Sequence, residues 1–263
     1  MLKIACFNVN SINSRISHLK AYLSRPNAPD IICLQELKCI TENFPKTIFD
    51  ELGYNYAVNG QKTYNGVAII SKYPIDEFIT KLDYPEIDHE QSRYIEAVIS
   101  LKNEAIRIVN VYVPNGQDIT SDKFIYKKIF LDSLYLKCQE LLKLNEKLIV
   151  VGDFNVAPEA IDVYDPKASE GNICYHPEER KRLRKILNLP LIDSFRSLHP
   201  YEQEFSWWDY RAGAFQQNNG LRIDHILLSP EAADCLENAG IDKNMRTQDK
   251  PSDHAPVWVD LAV

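Results

Sequence analysis

Nine glycines and fourteen prolines in 263 residues are too few and too dispersed for a collagen-like or low-complexity chain. No apolar run reaches the ~18 residues a membrane-spanning helix requires. The amino terminus lacks the basic region, apolar stretch and cleavage site of a secretory signal, and residues 2–9 (LKIACFNV) read as a strand instead. Six cysteines include no CxxC pair and no Cys/His zinc spacing. Cys6 and Cys33 fall inside apolar strand patterns, where free thiols pack as small hydrophobes, so a reducing, cytoplasmic setting is expected. Basic excess is missing too: 30 Lys+Arg against 37 Asp+Glu leaves a net charge of −7. That acidity argues only weakly against a polyanionic partner, because a bound cation supplies local positive charge. GxGxxG, P-loop, HExxH and GxSxG are all absent, which removes nucleotide-cofactor and serine-hydrolase readings.

What is present is an ordinary globular composition, 45% hydrophobic and 25% charged, enough for a sizeable core. Short β runs alternate with helical patterns. Strands are expected at 2–8, 30–36, 66–71, 94–101, 105–113, 147–155, 204–208, 222–229 and 255–261. Helices are expected at 14–24, with Ile16, Leu19, Lys20 and Leu23 on its stripe, at 45–53, at 121–145 with Ser121 as N-cap, and at 177–188. No linker or composition shift divides the halves, so residues 1–263 read as a single domain. Similar strand endings in both halves hint at a duplicated α/β unit.

The informative feature is where polar residues interrupt these strands. It happens at FNVN (7–10), LQE (34–36), VYVPN (111–115), GDFN (152–155), RID (222–224) and SDH (252–254). Residues two apart on a strand share a face, so Asn8 pairs with Asn10 and Asp153 with Asn155. One such residue is usually a turn former. Six interruptions converging at one end of a sheet would instead build an acidic, amide-rich pocket suited to a hard cation.

The ordered set FNVN, LQE.K, YVPN, GDFN.AP..ID, SFR..HP, SWWDYR, GLRIDHILLS and SDHAP resembles the exonuclease III family of abasic-site endonucleases, within the deoxyribonuclease I-like metal-dependent phosphoesterases. GDFN and SDH occur throughout that superfamily; SWWDYR followed by GLRID is more specific to the exonuclease III branch. The resemblance implies an α/β fold in four layers, two mixed sheets packed face to face with helices outside. It implies Mg²⁺-dependent hydrolysis of the phosphodiester 5′ to abasic sites in double-stranded DNA, with Mn²⁺ as a substitute. It also implies cleaning of blocked 3′ ends and 3′→5′ exonuclease activity, by a nucleoid-associated monomer with no membrane partner.

Residue by residue, Glu36 matches the metal ligand, and Asn8 and Asn10 match amides that hold the metal or its waters. Lys38 matches a lysine near the site. Asp153 resembles the residue that orients or deprotonates the attacking water, and Asn155 its neighbour; with Asp253 and His254 they complete the implied metal environment. Tyr112 resembles a tyrosine on the scissile phosphate and Asn115 a phosphate or backbone contact. His254 matches the histidine that stabilises transition-state charge, and Asp224 the carboxylate that orients it. Trp207, Leu221 and Ile223 align with the pocket for an extruded baseless sugar. Asn172 matches a family DNA contact, Arg93, Arg211 and Lys62 are candidate phosphate contacts, and HPEERKRLRK (176–185) is either a backbone-binding stretch or a solvated, internally paired helix face. The chain departs from metazoan-like members at Asn10 (Asp there), Asp118 (a DNA-inserting Arg there) and Leu221 (Trp there), and lacks their long N-terminal extension. Two other readings stay open: a superfamily phosphatase acting on inositol or sphingolipid phosphoesters, and a catalytically inactive DNA-binding relative.

Overall fold

The computed structural model describes all 263 residues. In chain order the strands are β1 (Leu2–Asn8), β2 (Ile31–Gln35), β3 (Asn55–Asn59), β4 (Val67–Ser71), β5 (Ile75–Ile79), β6 (Tyr94–Ser100), β7 (Ala105–Tyr112), β8 (Lys147–Asp153), β9 (Ile192–Asp193), β10 (Asp224–Leu228), β11 (Leu236–Ile241) and β12 (Val257–Leu261). They form two sheets, ordered β11-β12-β1-β2-β4-β3 and β5-β6-β7-β8-β10-β9. Each sheet contains one parallel pair, β1/β2 or β7/β8, between antiparallel neighbours. The duplication hinted at by the strand endings is this repeated pairing pattern. Parallel strands need a crossover, supplied by α1 (Ile12–Leu23) in one sheet and α3 (Asp122–Leu141) in the other, with α2 (Lys46–Glu51) between. The remaining helices are α4 (Pro166–Ser169), α5 (Pro177–Asn188), α6 (Ser194–Leu198) and α7 (Pro230–Ala233).

In the central strands side-chain alternation gives two apolar faces. Along β1, Leu2, Ile4 and Cys6 face the second sheet and meet Ile108, Ile149, Val151 and Ile226. Ala5 and Phe7 point outward onto Leu19, Tyr22 and Leu23 of α1. On the opposite outer face Val109, Val111, Leu148 and Val150 pack beneath Phe130, Leu134 and Cys138 of α3 and Leu183 and Ile186 of α5. Helix, sheet, sheet, helix: this is the expected four-layered sandwich.

Most expected elements fall within a residue or two of their places, and the differences have physical causes. Helix α1 begins at Ile12, and Tyr22 rather than the exposed Lys20 completes its buried stripe. Ser121 caps α3 by accepting the Phe124 N–H, but the regular helix ends at Leu141, followed by a 3₁₀ turn that Asn145 closes at φ 53°. The strand expected at 204–208 does not form; Trp207 makes only isolated bridges to Leu221 and His254. β3, β5, β9 and β11 were not expected. β5 is a solvent-exposed edge and β11 carries a register irregularity, so neither displays a clean two-residue alternation.

One polar group crosses the apolar interior. Buried Asn110 on β7 donates from Nδ2 to the carbonyls of Leu34 (3.0 Å) and Ala68 (2.9 Å) in the other sheet, and accepts from Gln35 Nε2 at 2.7 Å. Asn110→Leu would remove all three hydrogen bonds and leave Gln35 Nε2 only the Cys33 carbonyl at 3.3 Å, at about 1 kcal/mol each. Its urea midpoint should fall well below the parent's while its far-UV spectrum is retained. An unchanged midpoint would show that the amide does not staple the sheets.

Candidate active site

Strand register builds the site before any side chain is considered. β1 and β2 end side by side at Asn8 and Gln35, and β7 and β8 at Tyr112 and Asp153. Antiparallel β10 starts at the same edge, with Asp224 opposite Asp153. The chain then turns sharply: Asn10, Glu36, Lys38 and Asn155 all have positive φ, between 44° and 53°. Asparagine tolerates that region; Glu and Lys do so rarely, which marks strain held by the surrounding contacts.

Asn8 Nδ2 donates to Glu36 Oε1 (3.0 Å) and to Asp153 Oδ2 (2.9 Å), joining the two sheets. Glu36 also accepts from the Tyr112 hydroxyl at 2.8 Å and pairs with Lys38 Nζ at 2.9 Å. Asn10 accepts from Lys38 through Oδ1 and donates to Asp253 Oδ1 at 2.9 Å. Asp253 Oδ2 accepts from the Trp207 indole at 3.0 Å. His254 Nδ1 lies 2.9 Å from Asp224 Oδ2, and its Nε2 is 3.7 Å from Asp153 Oδ2. Asp224 Oδ2 is also held by the Ser206 hydroxyl at 2.6 Å.

Burial and charge set the protonation states. Burial raises Asp153 to about 7; the nearby His254 charge opposes this, and Asp224 adds to it. For His254, burial opposes the charged form, but Asp224 and then Asp153 outweigh it and lift the imidazole to about 10. Burial works against the ionised forms of Glu36 and Asp253 as well. Lys38 and the Asn8 amide still bring Glu36 below the usual range, and His254 with the Trp207 and Asn10 hydrogen bonds does so for Asp253. Burial, with Glu36 next to it, pushes Tyr112 well up, so its hydroxyl stays a donor. A carboxylate poised near neutrality beside a retained imidazolium is a general-base and electrostatic-stabiliser pairing.

Asp153, Asp224 and His254 bring ligand atoms within 4.8 Å of one another, and buried Asp224 Oδ1 has no hydrogen-bond partner, but a protonated His254 cannot ligate. The hard oxygens open to a cation at this edge are those of the carboxylates, Glu36 included. The amide oxygens of Asn8 and Asn10 are already engaged, by the Asn10 N–H and by Lys38. In this arrangement both amides orient carboxylates.

Beside the charged cluster is a cavity of about 350 Å³ whose far wall is Ile173, Cys174, Trp207, Leu221 and Ile223. Trp207 lines it, whereas its neighbour Trp208 is fully buried core. A second groove of about 470 Å³ shares Glu36, Tyr112 and Asn115 and adds Lys38, Arg93, Lys123 and Tyr64. Asn172 and Arg211 are exposed and line neither; Asn172 bonds the Ala168 carbonyl at 2.8 Å. The arginines of the 176–185 run are internally paired: Arg180 with Glu170, Arg182 with Asp132 and Glu178, and Arg184 with Glu159. Sequence reasoning missed Ser206, Ser252, whose hydroxyl bonds the Asn8 carbonyl at 2.7 Å, and the cavity residues Ile173 and Cys174. The only signal for the serines was that they open the SWWDYR and SDH segments; nothing local marked the other two.

Facing sheets that converge carboxylates, amides and an imidazolium on one edge define a phosphoesterase-type hydrolase. Residues 5–254 match the endonuclease/exonuclease/phosphatase family, and the chain belongs to it. Exodeoxyribonuclease III of Haemophilus influenzae is 33% identical, the alignment covering 99% of this chain and 100% of that protein. An AP endonuclease from Archaeoglobus fulgidus is 38% identical with a TM-score of 0.94, over 100% of both chains. A 3′ phosphatase from Neisseria, bound to a product DNA hairpin, is 38% identical with a TM-score of 0.92, again over 100% of both. Within the family the chain therefore lies in the exonuclease III branch of DNA-repair nucleases.

His254 yields a first test of the electrostatics. Its folded pKa of about 10 lies above the ordinary 6.5. The stabilisation it contributes is therefore complete below about pH 6.5 and is lost as pH rises towards 10. In EDTA-treated protein the urea midpoint should fall across that window more steeply than in His254→Gln. Parallel curves would mean the folded imidazole is neutral.

Proposed function

We propose that this protein is a Mg²⁺-dependent nuclease that hydrolyses the phosphodiester 5′ to abasic sites in duplex DNA, and that the same site trims blocked 3′ ends and 3′-terminal nucleotides. The observation that carries this reading is the cavity beside His254 and Asp153. That cavity of about 350 Å³ has a charged side, with Glu36, Asp153, Asp253 and His254, and an apolar side, with Ile173, Trp207, Leu221 and Ile223. The pairing suits a phosphate on one side and an extruded deoxyribose without a base on the other. The apolar wall leaves the polar groups of a base unpaired, which disfavours an intact nucleotide.

In the proposed reaction, water attacks phosphorus while the bond to the 3′-oxygen of the preceding nucleotide breaks. The products are a 3′-hydroxyl and a 5′-phosphate on the abasic sugar. Asp153 holds the water and takes its proton. His254, kept protonated by Asp224, donates to a non-bridging oxygen as charge accumulates, which is worth most in the transition state. Tyr112 and Asn115 face the phosphate, and Asn155 fixes the turn after Asp153. Glu36 would anchor Mg²⁺, oriented by Asn8 and supported by Asp253; when bound, the ion would supply positive charge against the phosphate and the departing 3′-oxygen, which takes its proton from solvent water. Arg93, Lys38 and Lys123 in the second groove make the protein locally basic despite its net charge.

A duplex with one abasic site should be nicked 5′ to the lesion with Mg²⁺, and with Mn²⁺ in its place, but not with EDTA. Inositol and sphingolipid phosphoesters should remain intact; the reverse pattern would move the protein to the phosphatase branches. Glu36→Ala should lose on the order of 10²–10³ in rate and regain part of it at high Mg²⁺. Asp153→Ala should not recover, since added cation cannot replace a base. Identical Mg²⁺ responses would refute this division of roles.

For the His254–Asp224 pair, losing either residue should cost nearly as much as losing both. Asp224→Asn should move the alkaline limb of single-turnover cleavage to lower pH, because the imidazolium loses its counter-charge. Additive losses, or an unmoved limb, would show that the two residues act independently.

A further inference from the structure

The position of Lys127 is anomalous. It lies on the buried stripe of α3 with Phe124, Phe130, Leu131 and Leu134, where helical spacing calls for a hydrophobe. Its side chain and that of Glu179 on α5 are fully buried as an ion pair. A buried pair is seldom a net source of stability, since desolvation offsets the attraction. Geometry explains its presence better. Lys127 Nζ has three hydrogens and three acceptors: the Asn115 carbonyl at 3.0 Å, the Asn155 carbonyl at 2.8 Å and Glu179 Oε1.

Those carbonyls belong to the two turns that follow β7 and β8. Their side chains are joined as well, Asn115 Nδ2 donating to Asn155 Oδ1 at 3.0 Å. Asn155, in the left-handed region at φ 51°, also donates its backbone N–H to Asp153 Oδ1 at 2.9 Å, so one turn residue is tied to Lys127 through its carbonyl and to Asp153 through its backbone amide. Glu179 extends the tie to a third segment: its Oε2 accepts the His176 N–H at 3.0 Å, two residues after cavity-lining Cys174. Even the lysine stem is fitted. Gly116 has φ 96°, and a β-carbon there would lie 3.3 Å from the Lys127 stem.

We propose that Lys127, braced by Glu179, is a positioning residue: one ammonium fixes the Asn115 and Asn155 turns and the Cys174 segment relative to one another, and so sets the mouth of the cavity and the aim of Asp153. The turnover consequence rests on the function proposed above; the positioning itself does not.

Lys127→Met alone leaves Glu179 buried without a partner and risks misfolding, so the test is Lys127→Met/Glu179→Gln, which removes both charges and keeps the acceptor for His176. The side-chain amide resonances of Asn115 and Asn155 are followed by NMR in the full-length protein without substrate. Thermal melting and single-turnover cleavage of the abasic duplex and of a 3′-phosphate end are measured in parallel. The double variant should melt near the parent while both amide pairs shift, and the single-turnover rate should drop about 10–100-fold with binding little changed. Lys127→Arg, which keeps the charge, should restore most of the rate. Unmoved amides, or a rate that follows melting temperature alone in both variants, would overturn the proposal. Shifted amides in a protein that cleaves only 3′-phosphate ends would retain the positioning role and discard the abasic substrate.

Discussion

Asn8 holds the site together. Its carboxamide, at the last position of β1, donates one hydrogen bond to Glu36 in its own sheet and one to Asp153 in the facing sheet, 145 residues away in sequence. The second bond requires the two sheets to be packed in one lateral register, because the apolar layer between them has few positions at which its side chains interdigitate. Asn110 supplies a second polar link across the same layer, tying β7 to the backbone of β2 and β4. The rigid sandwich thus acts as the jig in which the carboxylates are set.

Collecting acids at that edge is electrostatically costly, and the structure offsets the cost in more than one way. Glu36 is covered by the Lys38 charge and by hydrogen bonds from Asn8 and Tyr112. The Asp153 and Asp224 carboxylates flank the single imidazole of His254, raising its proton affinity as Asp153 itself is raised. Separated pKa values within one cluster give separate acid and base roles. The positive-φ turns after the strands, at Glu36 and Lys38 above all, store part of what the apolar core contributes.

Charge is used sparingly elsewhere. The dense basic stretch on α5 is engaged with acids of the same chain, so helix docking rather than a free basic face accounts for its arginines. Positive side chains at the site come from separate segments, Lys38 and Arg93 from loops and Lys123 from the first turn of α3. A net charge of −7 is compatible with a nucleic-acid substrate on this account, because the local field decides encounter.

Much of this was legible in the chain itself. Periodicity located β1, β2, β7, β8, α3 and α5, and the breaks from hydrophobic runs into Asn, Asp or Glu marked Asn8, Glu36, Asp153, Asp224 and His254, because strands buried on both faces read as continuous apolar segments that must stop where they meet solvent. Short or edge strands such as β5, β9 and β11 carried too little pattern to be found, and the apolar stripe of α3 gave no sign that Lys127 belonged to it. Which polar residues would meet was decided only by tertiary structure: Asn8 against Asp153, Trp207 against Asp253, Ser206 beneath Asp224, Ile173 and Cys174 as cavity wall. Those pairings depend on how two sheets slide and turn against each other. That is set by the summed packing of side chains far apart in sequence, to which no local segment holds the key.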